Sequence, residues 1–279
     1  MNEQQSSVSI RKAGRLGAQE LGSRLEAQLL LAFSVGRTRA WLFAHPDAEC
    51  LEEDFTRFMQ LVGRRRAGEP LPYLTGEREF YSRSFRVSSD VLIPRPETEL
   101  LVEKALELEL PKRAKVLDIG TGSGCIAITL CLERSDWQVS AVDRSQAALE
   151  VAAGNRNILG AGTLELLTGS VFEPVGDRRF DLIVSNPPYV AAGDEHLSKG
   201  DVRFEPDLAL VAGADGLDLI RDIIAEAPDH LEPGGWLLLE HGHDQAAAVR
   251  GLLESAGFVL VGSSCDLAGI ERVSFGKAG

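Results

Sequence analysis

The sequence predicts an α/β protein, a doubly wound and largely parallel sheet preceded by a small helical bundle. Three observations predict it. From residue 112 onward, short apolar runs alternate with amphipathic helical stretches, the pattern of successive βαβ units. A glycine-rich turn follows the first apolar run, where sheets of this kind bind small molecules. Residues 8–75 show apolar residues at spacings of three and four instead of strand alternation.

In chain order, Gln4, Gln5, Ser6 and Ser7 read as a frayed start. Leu21, Leu25, Leu29, Ala32 and Phe33 are expected on one helix face, and Leu51, Phe55, Phe58, Met59 and Val62 on a later one. Breaks fall at Gly22-Ser23, Gly36, His45-Pro46-Asp47 and Gly68. The period then shortens. Phe80, Tyr81, Phe85, Val87, Val91 and Ile93, with polar residues between, predict a β-hairpin or extended linker. Pro94 and Pro96 cannot donate to a sheet ladder and close it. Seven strands follow, over 116–119, 139–142, 164–167, 182–185, 236–239, 258–261 and 272–275. Helices are expected over 125–133, 146–158, 217–227 and 245–255. No helix separates the last two strands, so an antiparallel edge is expected there. The expected domains are 1–77, helical; 78–95, hairpin or linker; and 96–279, α/β.

Net charge is −13, unevenly placed. Residues 1–90 carry 13 Lys/Arg and 12 Asp/Glu, a net of +1, and residues 91–279 carry 16 and 30, a net of −14. So acidic a body repels a phosphate backbone and argues against a stable nucleic-acid partner. Arg64, Arg65 and Arg66 form the one basic run singled out, which suits a solvated helix end or a docking patch equally. The four cysteines lack zinc or redox spacing; Cys125 and Cys131 read as core in an apolar helix, and a reducing cytoplasm fits. The sequence shows no signal-peptide pattern and no apolar stretch long enough to span a membrane. The expected protein is cytoplasmic and, lacking any obvious extra interface segment, monomeric.

The glycine turn is Gly120-Thr121-Gly122-Ser123-Gly124, preceded by Asp118-Ile119. Glycines let the backbone turn tightly and approach a ligand without a Cβ in the way. The spacing departs from the GxGxxG of dinucleotide sites, and Asp118 would repel a phosphate. Asp143, at the end of the second strand, can accept hydrogen bonds from ribose hydroxyls. Loop and acid together indicate a nucleoside-containing cofactor without separating NAD from S-adenosylmethionine. Phe172, after the third strand, suits an adenine stack or core packing equally by spacing alone.

Asn186-Pro187-Pro188-Tyr189 follows the fourth strand directly. Two prolines stiffen the backbone and leave carbonyls free to accept. The Asn186 side-chain oxygen and a proline carbonyl can accept from both N–H groups of a primary amide, and Tyr189 can pack on its plane. An amide nitrogen is a poor nucleophile, so holding it in line with an electrophile accounts for much of the expected catalysis.

On these residues the chain resembles the release factor glutamine methyltransferase family over nearly its whole length. The matching motifs are Asp118 to Gly124, Asp143 and Asn186 to Tyr189. Further family-like segments are residues 68–76, Leu92-Ile93-Pro94-Arg95-Pro96-Glu97-Thr98-Glu99 and Phe204-Glu205-Pro206-Asp207-Leu208-Ala209-Leu210. The Asn-Pro-Pro-Tyr motif also occurs in DNA amino-methylating enzymes; the 92–99 segment discriminates better. The resemblance implies a Rossmann-like, seven-stranded class I methyltransferase domain behind a helical, substrate-docking domain joined by a hairpin. It implies methyl transfer from S-adenosyl-L-methionine, without a metal, to N5 of the glutamine in the Gly-Gly-Gln loop of class I peptide release factors. It implies that Gly120, Thr121, Gly122, Ser123, Gly124 and Asp143 bind the donor and that Phe172 lines its adenine. It assigns Asn186, Pro187, Pro188 and Tyr189 to the glutamine and the catalysis, with Asn186 also touching the donor. A sibling acting on a ribosomal-protein glutamine shares this catalytic half. A nucleic-acid amino-methyltransferase would need a basic groove and base flipping, which the charge disfavours. A donor-binding module without turnover is disfavoured by the intact reaction motif. Glu97 and Glu99 are candidates for closing the donor pocket or simply for favouring a helix N-terminus. His241 and His243 have no third metal ligand in sight and read as loop residues; Glu240 reads as structural.

Overall fold

The computed structural model describes residues 8–279; the expected frayed start at Gln4 to Ser7 lies outside them. The chain divides into two units between Gly76 and Glu77.

The first unit is helical: α1 (Ile10–Leu21), α2 (Arg24–Ser34), α3 (Arg39–Ala44), α4 (Glu52–Arg66) and α5 (Leu71–Thr75). Two-residue strands β1 (Val8–Ser9) and β2 (Glu49–Cys50) pair antiparallel beside them. Ser9, Ser23 and Thr38 cap α1, α2 and α3 by accepting from the backbone N–H three residues on. Of the helix face expected through Leu21, Leu25, Leu29, Ala32 and Phe33, only Ala32 is buried. Gly22 ends α1 in the left-handed conformation (φ 65°), so the phase is lost before α2 starts. Ala27, Leu30, Leu31 and Ser34 are buried instead, while Leu25 and Phe33 are exposed. In α4, Phe58, Leu61 and Val62 form the buried stripe and Leu51 is exposed. The arginine run ends α4, where cations favour the helix dipole. Arg64 pairs with Glu69, Arg65 with Glu26 at 3.0 Å and Arg66 with Glu20 at 2.6 Å, so the run has partners inside its own unit.

The second unit opens with a hairpin, β3 (Glu77–Phe80) and β4 (Arg83–Arg86). It is part of this unit's core and not only a linker, since Phe80 and Phe85 are buried in the cluster under the sheet. Its two-residue turn puts Tyr81 and Ser82 at φ 49° and 58°, the primed geometry that suits tight hairpins. Glu99 holds the turn by accepting from the Tyr81 N–H at 2.8 Å.

Helix α6 (Glu99–Glu107) precedes the alternating part: β5 (Lys115–Ile119), α7 (Cys125–Glu133), β6 (Gln138–Asp143), α8 (Gln146–Leu159), β7 (Glu165–Thr168), β8 (Phe180–Ser185), α9 (Asp218–His230), β9 (Leu231–Glu240), α10 (Ala246–Ser255), β10 (Val259–Cys265) and β11 (Glu271–Lys277). The sheet order is β10-β11-β9-β8-β5-β6-β7, with β5, β6, β7, β8 and β9 parallel. β11 runs antiparallel between β9 and β10, so the expected antiparallel edge is a hairpin whose second strand is inserted into the sheet. Successive strand residues feed opposite faces: Val116, Leu182, Val184 and Leu238 pack with α6, α7 and the hairpin, while Leu117, Ile183, Leu237 and Leu239 pack with α9 and α10. Burial on both faces explains why the strands read as nearly unbroken apolar runs. Cys125 and Cys131 are core in α7, as expected. Among the described residues no helix is long and apolar enough to cross a membrane.

Candidate active site

The order of β5, β6 and β8 places three carboxyl ends side by side, and a cleft of about 340 Å³ opens over them. That volume falls in the range of small-molecule sites.

The glycine turn joins β5 to α7. Gly120 and Thr121 donate to the Val142 carbonyl at 2.9 and 3.1 Å, and Gly122 donates to Asp143 Oδ2 at 2.8 Å. The turn is thereby tied to the end of β6. Gly120 and Gly122 take φ 73° and 55°, and a Cβ on either would project into open space, so a ligand can approach the backbone there. Gly124 differs. Its φ is 81°, and a Cβ would meet Ile128 at 2.9 Å and Ala152 at 3.2 Å, so it allows α7 and α8 to pack closely and does not line the cleft. From α8 the fully buried Asn155 donates to Ser123 O and Arg86 O, both at 2.9 Å, and accepts from Arg86 N at 2.7 Å. One amide therefore fastens the hairpin to the turn.

Asp143 lines the cleft, with Oδ1 also accepting from Ser145 N at 2.9 Å. Asp118 lies beneath the turn, wholly buried, accepting from Thr121 Oγ1 at 2.7 Å. Burial pushes its carboxyl up to about 7. Ser170 and Val171 line the cleft beside Asp143, and Val171 takes φ 47°, an uncommon conformation for a β-branched residue. Phe172, which the resemblance assigns to the donor's adenine, lies in the core here. It is 2% exposed, stacks on His230 at 4.2 Å between ring centres and belongs to the core under α9, away from the cleft lining. The turn that brings Val171 forward carries the next side chain inward.

Asn186 and Pro188 line the same cleft, whereas Pro187 and Tyr189 do not. Asn186 Nδ2 donates to Thr98 Oγ1 at 3.1 Å, and Asn186 Oδ1 is buried with no hydrogen-bond partner. Tyr189 packs on the α9–α10 side of the core, its carbonyl accepting from Gln245 Nε2 at 3.0 Å. Glu240 ends β9 fully buried, and burial raises it to about 7, with the Thr98 and Tyr189 hydroxyls favouring its ionised form. Burial, with Glu240 nearby, raises the Tyr189 phenol well above its ordinary value, so it stays protonated.

Two segments that carry the family resemblance meet here. Buried Glu205 accepts from Ile93 N at 3.1 Å and pairs with Arg95, fastening the 92–95 strap to the 204–210 loop. Pro94, Arg95, Pro206 and Leu208 then form part of the cleft wall. Thr98, unremarked within its motif, is the residue of that helix start that reaches the cleft; Glu99 is engaged at the hairpin turn. His241 hydrogen-bonds Ser274 Oγ at 2.8 Å in the interior, and His243 lies 4.0 Å from Asp244.

A nucleoside donor fits this cleft on the chain's own features. Open space stands over the two positive-φ glycines, and a carboxylate closes one end of the turn. A partnerless buried acceptor sits in the wall.

Comparison with known proteins gives the family. The sequence profile of the Methyltransferase small domain matches residues 96–201, and that of the PrmC N-terminal domain matches residues 14–76. Release factor glutamine methyltransferase from Xylella fastidiosa is 48% identical over 261 residues, covering 93% of this chain and 95% of the relative. The proteins of that name from Pseudomonas aeruginosa and Neisseria gonorrhoeae are 49% and 50% identical, each over 91% of this chain and over 92% and 93% of their own lengths. A methyltransferase structure from Pyrococcus furiosus superposes with TM-score 0.54 at 18% identity over 82% of this chain and all of that one. A ribosomal protein L11 methylase from Lactobacillus delbrueckii superposes with TM-score 0.51 at 20% identity, over 66% of this chain and 81% of that one. At those identities the two structures speak to the fold alone. With near full-length identity at this level, the chain belongs to the release factor glutamine methyltransferase family.

Proposed function

We propose that this enzyme methylates N5 of the glutamine in the Gly-Gly-Gln loop of class I peptide release factors, with S-adenosyl-L-methionine as donor. The observation that carries the reading is Asn186 Oδ1, a buried acceptor without a partner, in the same cleft as the glycine turn and Asp143. A buried acceptor left unsatisfied is costly, and an incoming amide N–H removes that cost. The names of the relatives support glutamine as the amide.

When bound, the donor supplies a methyl group on a positively charged sulfur; the amide nitrogen takes it and afterwards loses one proton to solvent. The chain's own residues do the rest. Gly120 and Gly122 admit the donor to the backbone, and Asp143 accepts from its ribose. Asn186 Oδ1 and a proline carbonyl of the motif take the two amide N–H groups and aim the nitrogen. Pro94, Pro206 and Leu208 keep water from the reacting end. Positioning and preorganised acceptors are the main sources of rate.

The test offers labelled donor to a purified class I release factor and to the same protein with its loop glutamine changed to alanine. Label on the first and none on the second is expected. Label on neither, with donor bound, overturns the substrate and favours the ribosomal-protein alternative.

A further inference from the structure

The two prolines of the reaction motif cannot be held by hydrogen bonds of their own. A proline has no N–H, and a carbonyl meant for the substrate must stay free. Among the described residues neither the Pro187 nor the Pro188 carbonyl accepts a hydrogen bond. The pair is therefore held from its ends. At the near end Asn186 Nδ2 donates to Thr98 Oγ1 at 3.1 Å. At the far end stands Gln245, which the methyl transfer described above does not use. Its Nε2 donates to the carbonyls of Tyr189 at 3.0 Å and Asp215 at 3.2 Å, and its Oε1 accepts from the Gly242 N–H at 2.8 Å. Gln245 occupies the N-cap of α10, yet its side chain makes no capping bond there. Two glycines leave room for its amide. A Cβ on Gly216 would stand 2.2 Å from the Tyr189 oxygen and 2.9 Å from Gln245 Nε2, and one on Gly242 would stand 3.0 Å from Gln245 Oε1.

We infer that Gln245 is a positioning residue for the methyl transfer: by pinning the Tyr189 carbonyl it fixes the direction in which the proline carbonyls of the motif point. The inference rests on the reading that Asn186 Oδ1 and a proline carbonyl take the two N–H groups of the substrate amide. In an ordinary chain a peptide plane can turn in place, because the dihedrals on its two sides rotate in opposite senses and leave the ends where they are. A proline ring locks φ, so the unit between Pro187 and Pro188 turns only if the chain beyond it moves. Holding that chain still therefore holds the pair. The peptide unit that leaves Tyr189 is held on both sides. Its carbonyl accepts from Gln245, and its N–H, that of Val190, donates to the Leu210 carbonyl at 2.8 Å. Two opposed bonds fix the plane where one would leave it free to tilt. Without Gln245 the far end of the motif shifts and the acceptor is spread over several directions. A spread acceptor lowers the rate by misplacing the amide nitrogen, while the donor stays bound against the glycine turn.

The test uses the full chain with Gln245→Met and Gln245→Glu, labelled donor and class I release factor, at about pH 8, where an introduced carboxyl is ionised. Rates are read per donor-binding site, so misfolded chain does not count. Both replacements are close to glutamine in length and differ in their bonds. Glutamate keeps the acceptor for the Gly242 N–H but sets an oxygen against the Tyr189 and Asp215 carbonyls, whereas methionine keeps none of the three bonds. In Gln245→Met kcat is expected to fall about tenfold, the scale of one well-placed hydrogen bond. In Gln245→Glu it should fall at least as far, and donor affinity should stay at the wild-type value in both. Wild-type kcat in Gln245→Glu beside an impaired Gln245→Met overturns the inference, because the tie to Gly242 alone would then matter. So does wild-type kcat in both variants, or donor affinity lost in step with kcat, which marks a merely structural role. Failure of the wild-type chain to label any release factor overturns the substrate reading itself, and this inference with it.

Discussion

On the wall of the cleft formed by the glycine turn, the geometry is set by backbone. Gly120, Thr121 and Gly122 are tied by their own N–H groups to β6 and Asp143, and Asn155 anchors Ser123 through its carbonyl. On the wall that carries Asn186, the geometry is set by side chains: Asn186 on Thr98, and Thr98 and Tyr189 beside a buried Glu240. The first wall leaves open space over Gly120 and Gly122 for a ligand to approach the backbone. The second has to present one acceptor in one direction. Backbone ties survive most side-chain changes, whereas a hydrogen bond between two side chains, such as Asn186 to Thr98, is lost when either changes. Single substitutions should therefore affect rate at the second wall and affinity at the first.

The largest effect expected is that of Asn186→Ala. Losing a preorganised group aimed at the reacting atom costs about 3–4 kcal/mol in the transition state, roughly a hundredfold to a thousandfold in kcat. Donor affinity, set by the other wall, should hold. Single-turnover labelling alongside calorimetric titration of the donor separates the two quantities. A kcat within a few-fold of wild type would remove Asn186 from the mechanism and erase the contrast between the walls.

Next comes the pH dependence of stability. Burial raises Glu240 to about 7, while in the unfolded chain it titrates at its ordinary value near 4.5. Between those values the folded protein holds the extra proton, so this group's contribution to stability falls as pH rises from about 4.5 to about 7 and then levels. Glu240→Gln removes the titration. Its stability relative to wild type should rise across that window, by about 3 kcal/mol at most. Chemical denaturation at both ends of the window measures it, and parallel curves for the two proteins would mean that Glu240 is not held protonated. Asp118, raised to about 7 by the same cause, contributes equally to both proteins and cancels in the difference.

Asp143→Ala follows. A charged hydrogen bond is worth about 1.5–3 kcal/mol, and donor affinity should fall by that amount while kcat at saturating donor changes little. Because Asp143 also accepts from Gly122 and Ser145, Asp143→Asn, which keeps one acceptor oxygen, should lose less. Equal affinity for wild type and the alanine variant by calorimetry would show that the turn alone holds the donor.

The two walls were also unequally legible in the sequence. The glycine turn, Asp143 and the strand ends depend on local chemistry: a short apolar run, a break, glycines and an acid at a strand end. The seven strands and the helix at Cys125–Glu133 could be read for the same reason. The supporting side chains of the other wall could not. Thr98 meets Asn186 across 88 residues and Glu205 meets Arg95 across 110, and periodicity carries no signal over such distances. The segments around Thr98 and Glu205 stood out only through the family resemblance, and only the fold shows that they hydrogen-bond to each other. In the helical unit the misread face at Leu25 and Phe33 has a local cause, a period counted through the left-handed cap at Gly22.

Phe172 gives the smallest and most discriminating prediction. An aromatic residue after a third strand was equally compatible with a stacking platform and with core, and in the structure its ring lies on His230 beneath α9. Phe172→Leu keeps most of the buried volume but loses the stacked pair, so stability should fall by about 1 kcal/mol. Donor affinity should not move, because Ser170 and Val171, not Phe172, face the cleft. A tenfold loss of donor affinity with stability intact would return Phe172 to the adenine. It would also mean that the first wall uses a side chain where the structure shows backbone, which makes this small effect the sharpest check on how the two walls differ.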